Sequence, residues 1–345
     1  MSGDVASYPW AAGSATGVGS MPGTDPAQAC AEVMGELPDF PYLPELPGRG
    51  AGADIIGRTA SLLVDLPVET TPRGWKFAPH PGRDQRRAVD FLSFDLDAMQ
   101  QAADGYAGPF KVQVCGPLTL AARIELSRSV NPALTDPGAL ADLTSSLAEG
   151  VAAHALGIRE RIPGANLVVQ IDEPELPAVL AGRVRTASGL GTVPALDEIP
   201  ATDTLRAVLA ATGAFTVMHC CASGFPFLLT LEAGAGAASF DLALLDRAEI
   251  DAVAEVAEAG LGLLVGAVPS RDDAAATAAG AGKDAASAVV TLWRRTALDA
   301  QGLAQQVVVT PACGLAGLSP KAARETLAHC REAARIAPEL IEEGD

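Results

Sequence analysis

Asn166-Leu-Val-Val-Gln-Ile-Asp-Glu-Pro174 is the stretch on which the fold turns. Its apolar run is too short for a helix and stops abruptly at two carboxylates and a proline. A buried parallel strand delivers polar groups to the loop beyond its C-terminal end in this way. The same arrangement recurs along the chain. Ser20 follows a candidate strand at 15–19, Glu45 closes one at 41–45, and Gly116-Pro-Leu-Thr119 follows one at 110–115. His219-Cys-Cys221 lies just past 215–218, and Cys313 just past 306–310. With 166–171, 237–242 and 262–266, the strands number eight.

Between them, the segments 138–158, 201–212, 250–259, 284–301 and 319–336 are rich in Ala, Leu, Glu and Arg at helical spacing, and Pro320 behind Ser319 is a helix start. Alternating strands and helices predict an α/β fold of the (β/α)8 TIM-barrel type. The 345 residues fit one domain spanning 1–345, with a turn-rich insertion near 179–199 and a Pro/Arg-rich crossover at 66–87. In such a barrel, chemistry gathers where strands end, and nearly every unusual residue of this chain falls there.

Composition removes several function classes. A net charge of -18, from 42 acidic and 24 basic residues, opposes contact with nucleic acid, whose affinity comes from Lys and Arg displacing counterions. Met1 to Tyr8 offers no basic segment ahead of an apolar core, so no secretory signal is expected and the cytoplasm is the predicted location. The stretch 207–231 has no charged residue and is long enough to cross a bilayer, but Gly213, His219, Ser223, Gly224 and Pro226 break it into a helix end, a strand and a loop. No membrane is expected as a partner. Six cysteines in a long cytosolic chain read as reduced thiols, with Cys30, Cys115 and Cys330 as small core residues.

The remaining cysteines carry the chemistry. His219-x-Cys221 supplies an imidazole and a thiolate from one turn, and Cys313 stands in a matching strand-end position far downstream. Zinc prefers such ligands, and a catalytic zinc keeps one position open. It would lower the pKa of a substrate thiol. Alone, the His-x-Cys pair is better read as a core histidine beside inert thiols; the second strand-end cysteine shifts the balance. Asp172 and Glu173 are suited to binding a ligand ammonium group or moving protons, with a solvated turn as the alternative. Glu45 is placed similarly. Gly17-Val-Gly-Ser-Met-Pro-Gly23 lacks the spacing of a nucleotide cradle and reads as a tight turn exposing amides and Ser20.

Taken together, these motifs resemble the C-terminal catalytic barrel of cobalamin-independent methionine synthase, in the superfamily shared with uroporphyrinogen decarboxylase. Gly19-Ser20-Met-Pro is similar to its Gly-Ser-Phe-Pro, Gly116-Pro-Leu-Thr119 to its Gly-Pro-Val-Thr, and Gln170-Ile-Asp-Glu-Pro174 to its Gln-Ile-Asp-Glu-Pro. Pro311-Ala-Cys313-Gly-Leu resembles its zinc-binding Pro-Asp-Cys-Gly-Leu. The resemblance implies a zinc-dependent methyltransferase that makes methionine from homocysteine. Zinc would be held by His219, Cys221 and Cys313, with Asp241 in the place of the family's glutamate. Homocysteine would be held by Val18, Gly19, Ser20, Glu45 and Asp172, with Asp172 catalytic. The methyl donor would be methylfolate or a corrinoid protein. At 345 residues the sequence is too short to be expected to contain the family's second barrel, which helps hold folate; with no Trp soon after Thr119 and no histidine in Val265-Gly-Ala-Val-Pro-Ser-Arg271, these departures point toward the corrinoid. Two other enzymes remain open: a methyltransferase for another small thiol, and a metal-free decarboxylase of the uroporphyrinogen type. A barrel whose zinc is purely structural is the non-enzymatic alternative.

Overall fold

The computed structural model describes residues 8–271 and 280–343. The reading of the N-terminus as lacking a secretory signal concerns residues 1–7, which lie outside the described residues. Among the described residues, nine strands run β1 (Val68–Thr71), β2 (Gly74–Phe77), β3 (Ala107–Cys115), β4 (Ile124–Glu125), β5 (Gly164–Asp172), β6 (Phe215–Cys220), β7 (Ala237–Asp241), β8 (Gly262–Val268) and β9 (Val307–Pro311). The main sheet has six parallel strands in the order β3-β5-β6-β7-β8-β9. Its members match the six later strands expected from the sequence to within a few residues. The two earliest, 15–19 and 41–45, form no named strand. They appear as isolated parallel bridges, Ala15 to Val309, Ser20 to Glu45 and Tyr42 to Lys111, so they link the β9 edge of the sheet to its β3 edge.

Side-chain alternation gives the sheet two different faces. Val169, Ile171, Met218, Cys220, Phe240, Leu263, Val265 and Val309 pack with the helices in the main core. Val168, Val217, Ala237, Leu264 and Val308 turn the other way and cluster with Trp10 and Phe40. This inner face is apolar toward the strand N-termini. One or two residues further along each strand it becomes polar, with Gln170, Asp172, His219, Ser239 and Thr310, all buried.

Local chemistry sets the helix ends. The helix Pro137–Arg161 starts with proline and is capped by Asp136, whose side chain accepts from the Gly138 and Ala139 amides. Ser319 caps the helix Pro320–Glu342 in the same way through Ala322. That helix buries Ala322, Ala323, Leu327, Cys330, Ala333, Ala334 and Ala337, so Cys330 is the small core residue expected. The helix expected over 284–301 is instead two. Ala281–Thr296 ends at Ala297, which has φ 56°, and Ala300–Gln306 restarts under an Asp299 cap. The crossover at 66–87 contains more structure than its composition suggests. β1 and β2 form an antiparallel hairpin that pairs with β4, and the helix Arg83–Ala102 follows.

Within the turn-rich region 179–199, the short helix Leu176–Leu180 leads into an Arg185 to Thr192 bridge, and Val179, Val184 and Val193 bury themselves against Ala122. Among the described residues no helix is long and apolar enough to cross a membrane. The uncharged stretch 207–231 is divided between the helix Glu198–Ala211, β6 and the helix Phe227–Glu232.

Candidate metal centre and the acids beside it

Parallel register aligns the strand ends laterally. Cys115 pairs with Asp172, Asp172 with His219, His219 with Ser239, and Asp241 with Gly266. The sheet therefore gathers residues that the sequence scatters over most of its length. His219, Cys221 and Cys313 meet with their ligand atoms all within 4.8 Å of one another. Among the described residues this is the one group of three or more His, Cys, Asp or Glu side chains that could hold a metal ion. The two thiols are free, with their sulfurs 3.0 Å apart. Either sulfur can donate to the other. The hydrogen bond to Cys313 pushes the Cys221 pKa up, and the bond from Cys221, aided by His219, brings Cys313 down.

One imidazole nitrogen and two sulfurs suit zinc. The imidazole is already oriented for it, because Nδ1 of His219 is hydrogen-bonded to the Ser239 hydroxyl at 2.9 Å and Nε2 is left for a ligand. Sequence reasoning did not find Ser239. Its signal is positional, since it lies opposite His219 on the neighbouring strand. Cys220 does not compete for a metal: alternation sends it to the helix face, where it is core, and burial raises its thiol pKa to about 12. Asp241 lies outside the group of three and is only part-buried, and its Oδ1 accepts from the Ala243 amide at 2.9 Å.

The two acids of Asp172-Glu173 separate. Asp172 points to the inner face, where its Oδ1 accepts from Gln170 Nε2 at 2.7 Å. Burial pushes its pKa up, against His219, the Gln170 bond and Lys111. Glu173 is equally buried but faces the helix Pro117–Arg123. Its oxygens accept from the amides of Leu118 (2.9 Å) and Thr119 (2.8 Å) and from the Thr119 hydroxyl (2.6 Å). A side chain on Gly116 would collide with it, Cβ to Oε1 being 2.2 Å. The Gly-Pro-Leu-Thr and Asp-Glu-Pro motifs are thus two halves of one contact, in which an acid caps a helix N-terminus.

Ser20 and Glu45 arrive through the bridged segments. The Glu45 amide donates to Gly19 O and the Met21 amide to Glu45 O. The Ser20 hydroxyl accepts from the Ala316 amide at 3.4 Å, beyond the Cys313 loop. Gly314 has to be glycine for this approach, since a Cβ there would lie 2.1 Å from Ser20 Oγ. Burial pushes the Glu45 pKa up to about 7, with Arg58 opposing and Asp172 adding to the shift. Arg58 Nε is 3.7 Å from Glu45 and also pairs with the buried Asp95, which Arg49 holds at 2.8 Å. Composition gave no warning of this buried ion cluster. Val18, Gly19, Ser20, Glu45 and Asp172 are therefore linked by backbone or side-chain bonds around the same strand ends as the metal group.

Comparison with known proteins accords with this arrangement. No curated protein matches the sequence. Among solved structures, a B12-independent methionine synthase from Shewanella sp. W3-18-1, in complex with selenomethionine, superposes with a TM-score of 0.50 at 13% identity, over 72% of this chain and 67% of that one. A protein from Pseudomonas aeruginosa described as a candidate dihydrodipicolinate synthetase gives a TM-score of 0.41 at 11% identity, over 95% of this chain and 82% of that one. Residues 132–336, which carry Asp172, His219, Cys221 and Cys313, match the family described as the cobalamin-independent synthase catalytic domain. The chain belongs to the family of cobalamin-independent methionine synthase catalytic domains.

Proposed function

We propose that this protein transfers a methyl group to the thiol of homocysteine to form methionine, using zinc held by His219, Cys221 and Cys313. The observation that carries the reading is the convergence of those three donors within 4.8 Å, one strand from the buried carboxylate of Asp172. Zinc bound there would lower the pKa of a thiol that reaches it. Asp241 is the candidate fourth ligand, through the oxygen that Ala243 does not hold.

The protein's own residues account for the rest of the amino acid. Asp172 and Glu45, both buried, are the counter-charges for its ammonium group. Val18, Gly19 and Ser20 offer backbone and hydroxyl to its carboxylate. Asp172, in register beside His219, is also the group placed to take up the thiol proton. The sulfur would then bond to the methyl carbon as the bond from that carbon to the donor nitrogen breaks, and the demethylated donor leaves with a proton returned to that nitrogen. We read the fold as a closed (β/α)8 barrel in one domain over 1–345, with an insertion near 179–199. The bridges at Ala15, Ser20 and Tyr42, which make 15–19 and 41–45 its first two strands, support this closure. We place the reaction in the cytoplasm, in keeping with the six free cysteines.

For the donor, membership of a cobalamin-independent family supports methylfolate over the corrinoid protein that the sequence departures suggested. The test is to supply zinc-loaded protein with homocysteine and either methyltetrahydrofolate or methylcobalamin, and to measure methionine by mass spectrometry. Methionine is expected with the folate. Methionine from methylcobalamin alone would reassign the donor, and none from either, at verified zinc content, would overturn the reading.

A further inference from the structure

Lys111 is a charged side chain to which the reaction above gives no task. It sits in β3, fully buried. Its Nζ donates to the Val18 carbonyl at 2.9 Å and to Gln113 Oε1 at 3.1 Å, and lies 5.2 Å from the centre of the Tyr42 ring. Burial brings its pKa down to about 7, while Asp172 and Glu45 pull it back up. An ammonium group at this depth is costly, and an apolar side chain would fill the space without that cost. With two of its three donors engaged and its Nζ beside the Tyr42 ring, Lys111 is not a free nucleophile. Its contacts lead instead to the strap at 18–20.

Val18 O takes a second buried donor, Gln170 Nε2 at 2.9 Å, and the same amide group also donates to Asp172. One carbonyl is therefore held from two strands, and one of its partners also holds the catalytic acid. The strap fits closely against the same side chains. A Cβ on Gly17 would come within 2.2 Å of the Tyr42 ring, and one on Gly19 within 2.9 Å of Gln113 Cγ.

We infer that Lys111 is a positioning residue: through the Val18 carbonyl it sets the strap at 18–20 at the spacing from Asp172 and Glu45 that fits an α-amino acid. It thereby selects a thiol bearing both ammonium and carboxylate over one bearing ammonium alone. The inference rests on the proposed reading of the strap and the two acids as the amino-acid pocket.

The test compares binding of homocysteine and of 3-aminopropane-1-thiol, the same molecule without its carboxylate, by calorimetry on the zinc-loaded full chain. Lys111→Met is expected to bind homocysteine about tenfold more weakly. It should bind the aminothiol as well as the unaltered protein or somewhat better, because removing a nearby cation favours an ammonium ligand. A merely structural role would weaken both ligands together; that result, or no loss for homocysteine, overturns the inference. Lys111→Gln, measured in the same way, decides the matter if the methionine variant does not fold. If the unaltered protein binds the two thiols equally well, the pocket reading itself fails and this inference with it.

Discussion

Asp172 and Glu173 are adjacent, both acidic and both buried, yet they occupy different environments. Glu173, on the helix face, accepts three hydrogen bonds that use both of its oxygens. Asp172, on the inner face, accepts one from Gln170 and lies beside three other ionisable side chains, His219, Lys111 and Cys313. A carboxylate saturated by backbone donors is part of the scaffold. One left with open lone pairs in a dry site can engage a ligand, and pays for this in stability. A single step along a strand separates the two, because alternation assigns successive residues to opposite faces.

The sharpest way to break this distinction is at the metal group. Cys313→Ser replaces a soft ligand with a weak one and should abolish methyl transfer, a loss of about a thousandfold or more, while the chain stays folded. Zinc content by plasma emission spectroscopy and melting by circular dichroism measure the two sides separately. Asp172→Asn comes next. It should weaken homocysteine binding by about a hundredfold, roughly 3 kcal/mol, and leave zinc content unchanged. Loss of zinc in that variant would make Asp172 a metal ligand or its support, and the assignment to substrate would be wrong.

Glu173→Gln probes the opposite face and should shift a different quantity. An amide NH2 would confront a backbone or hydroxyl donor, so the cost should be about 2 kcal/mol of folding stability, with homocysteine affinity nearly unchanged. Burial has raised the pKa of Glu173 to about 7, with its three hydrogen bonds opposing. The folded protein thus holds this proton more tightly than the unfolded chain, whose ordinary value is about 4.5. Stability from this group therefore falls as pH rises from about 4.5 to about 7. The substitution should flatten that slope in urea titrations, leaving the part that comes from Glu45, also raised to about 7, and from Asp172, which burial also pushes up. An unchanged slope would mean that Glu173 is ionised throughout.

Sequence made the strands legible because parallel strands buried on both faces read as short apolar runs, and 166–171, 215–218 and 262–266 all do. It located the candidate metal group because His219, Cys221 and Cys313 sit where such runs stop. Three features were harder to read. Ser20 and Glu45 lie on segments that bridge at isolated points, so their partners depend on the whole sheet. Lys111 was hidden by a strand whose other residues are mostly apolar, although a lone lysine at its centre is itself a signal. The helix Arg83–Ala102 was masked by its charge, although Ala88, Leu92, Asp95 and Met99 mark its buried stripe at helical spacing. The sequence also could not separate Asp172 from Glu173, since alternation shows that they face apart but not which face carries chemistry.

Ser239 offers the smallest and finest test of the two-face picture. It is buried on the inner face like Asp172, but it has a partner like Glu173, the Nδ1 of His219 at 2.9 Å. If inner-face groups serve the site, this bond exists to fix the imidazole so that Nε2 meets the metal. Ser239→Ala should then weaken zinc binding by about tenfold, near 1.4 kcal/mol, in competition with a chelator. Its melting temperature without metal should hardly move, because the hydroxyl supports no other element among the hydrogen bonds of the described residues. The reverse outcome, unchanged zinc affinity with a lower melting point, would make the Ser239 bond a scaffold bond like those of Glu173. The division between the faces would then have to be drawn residue by residue, by how many lone pairs and donors each side chain leaves open, rather than by the direction in which it points.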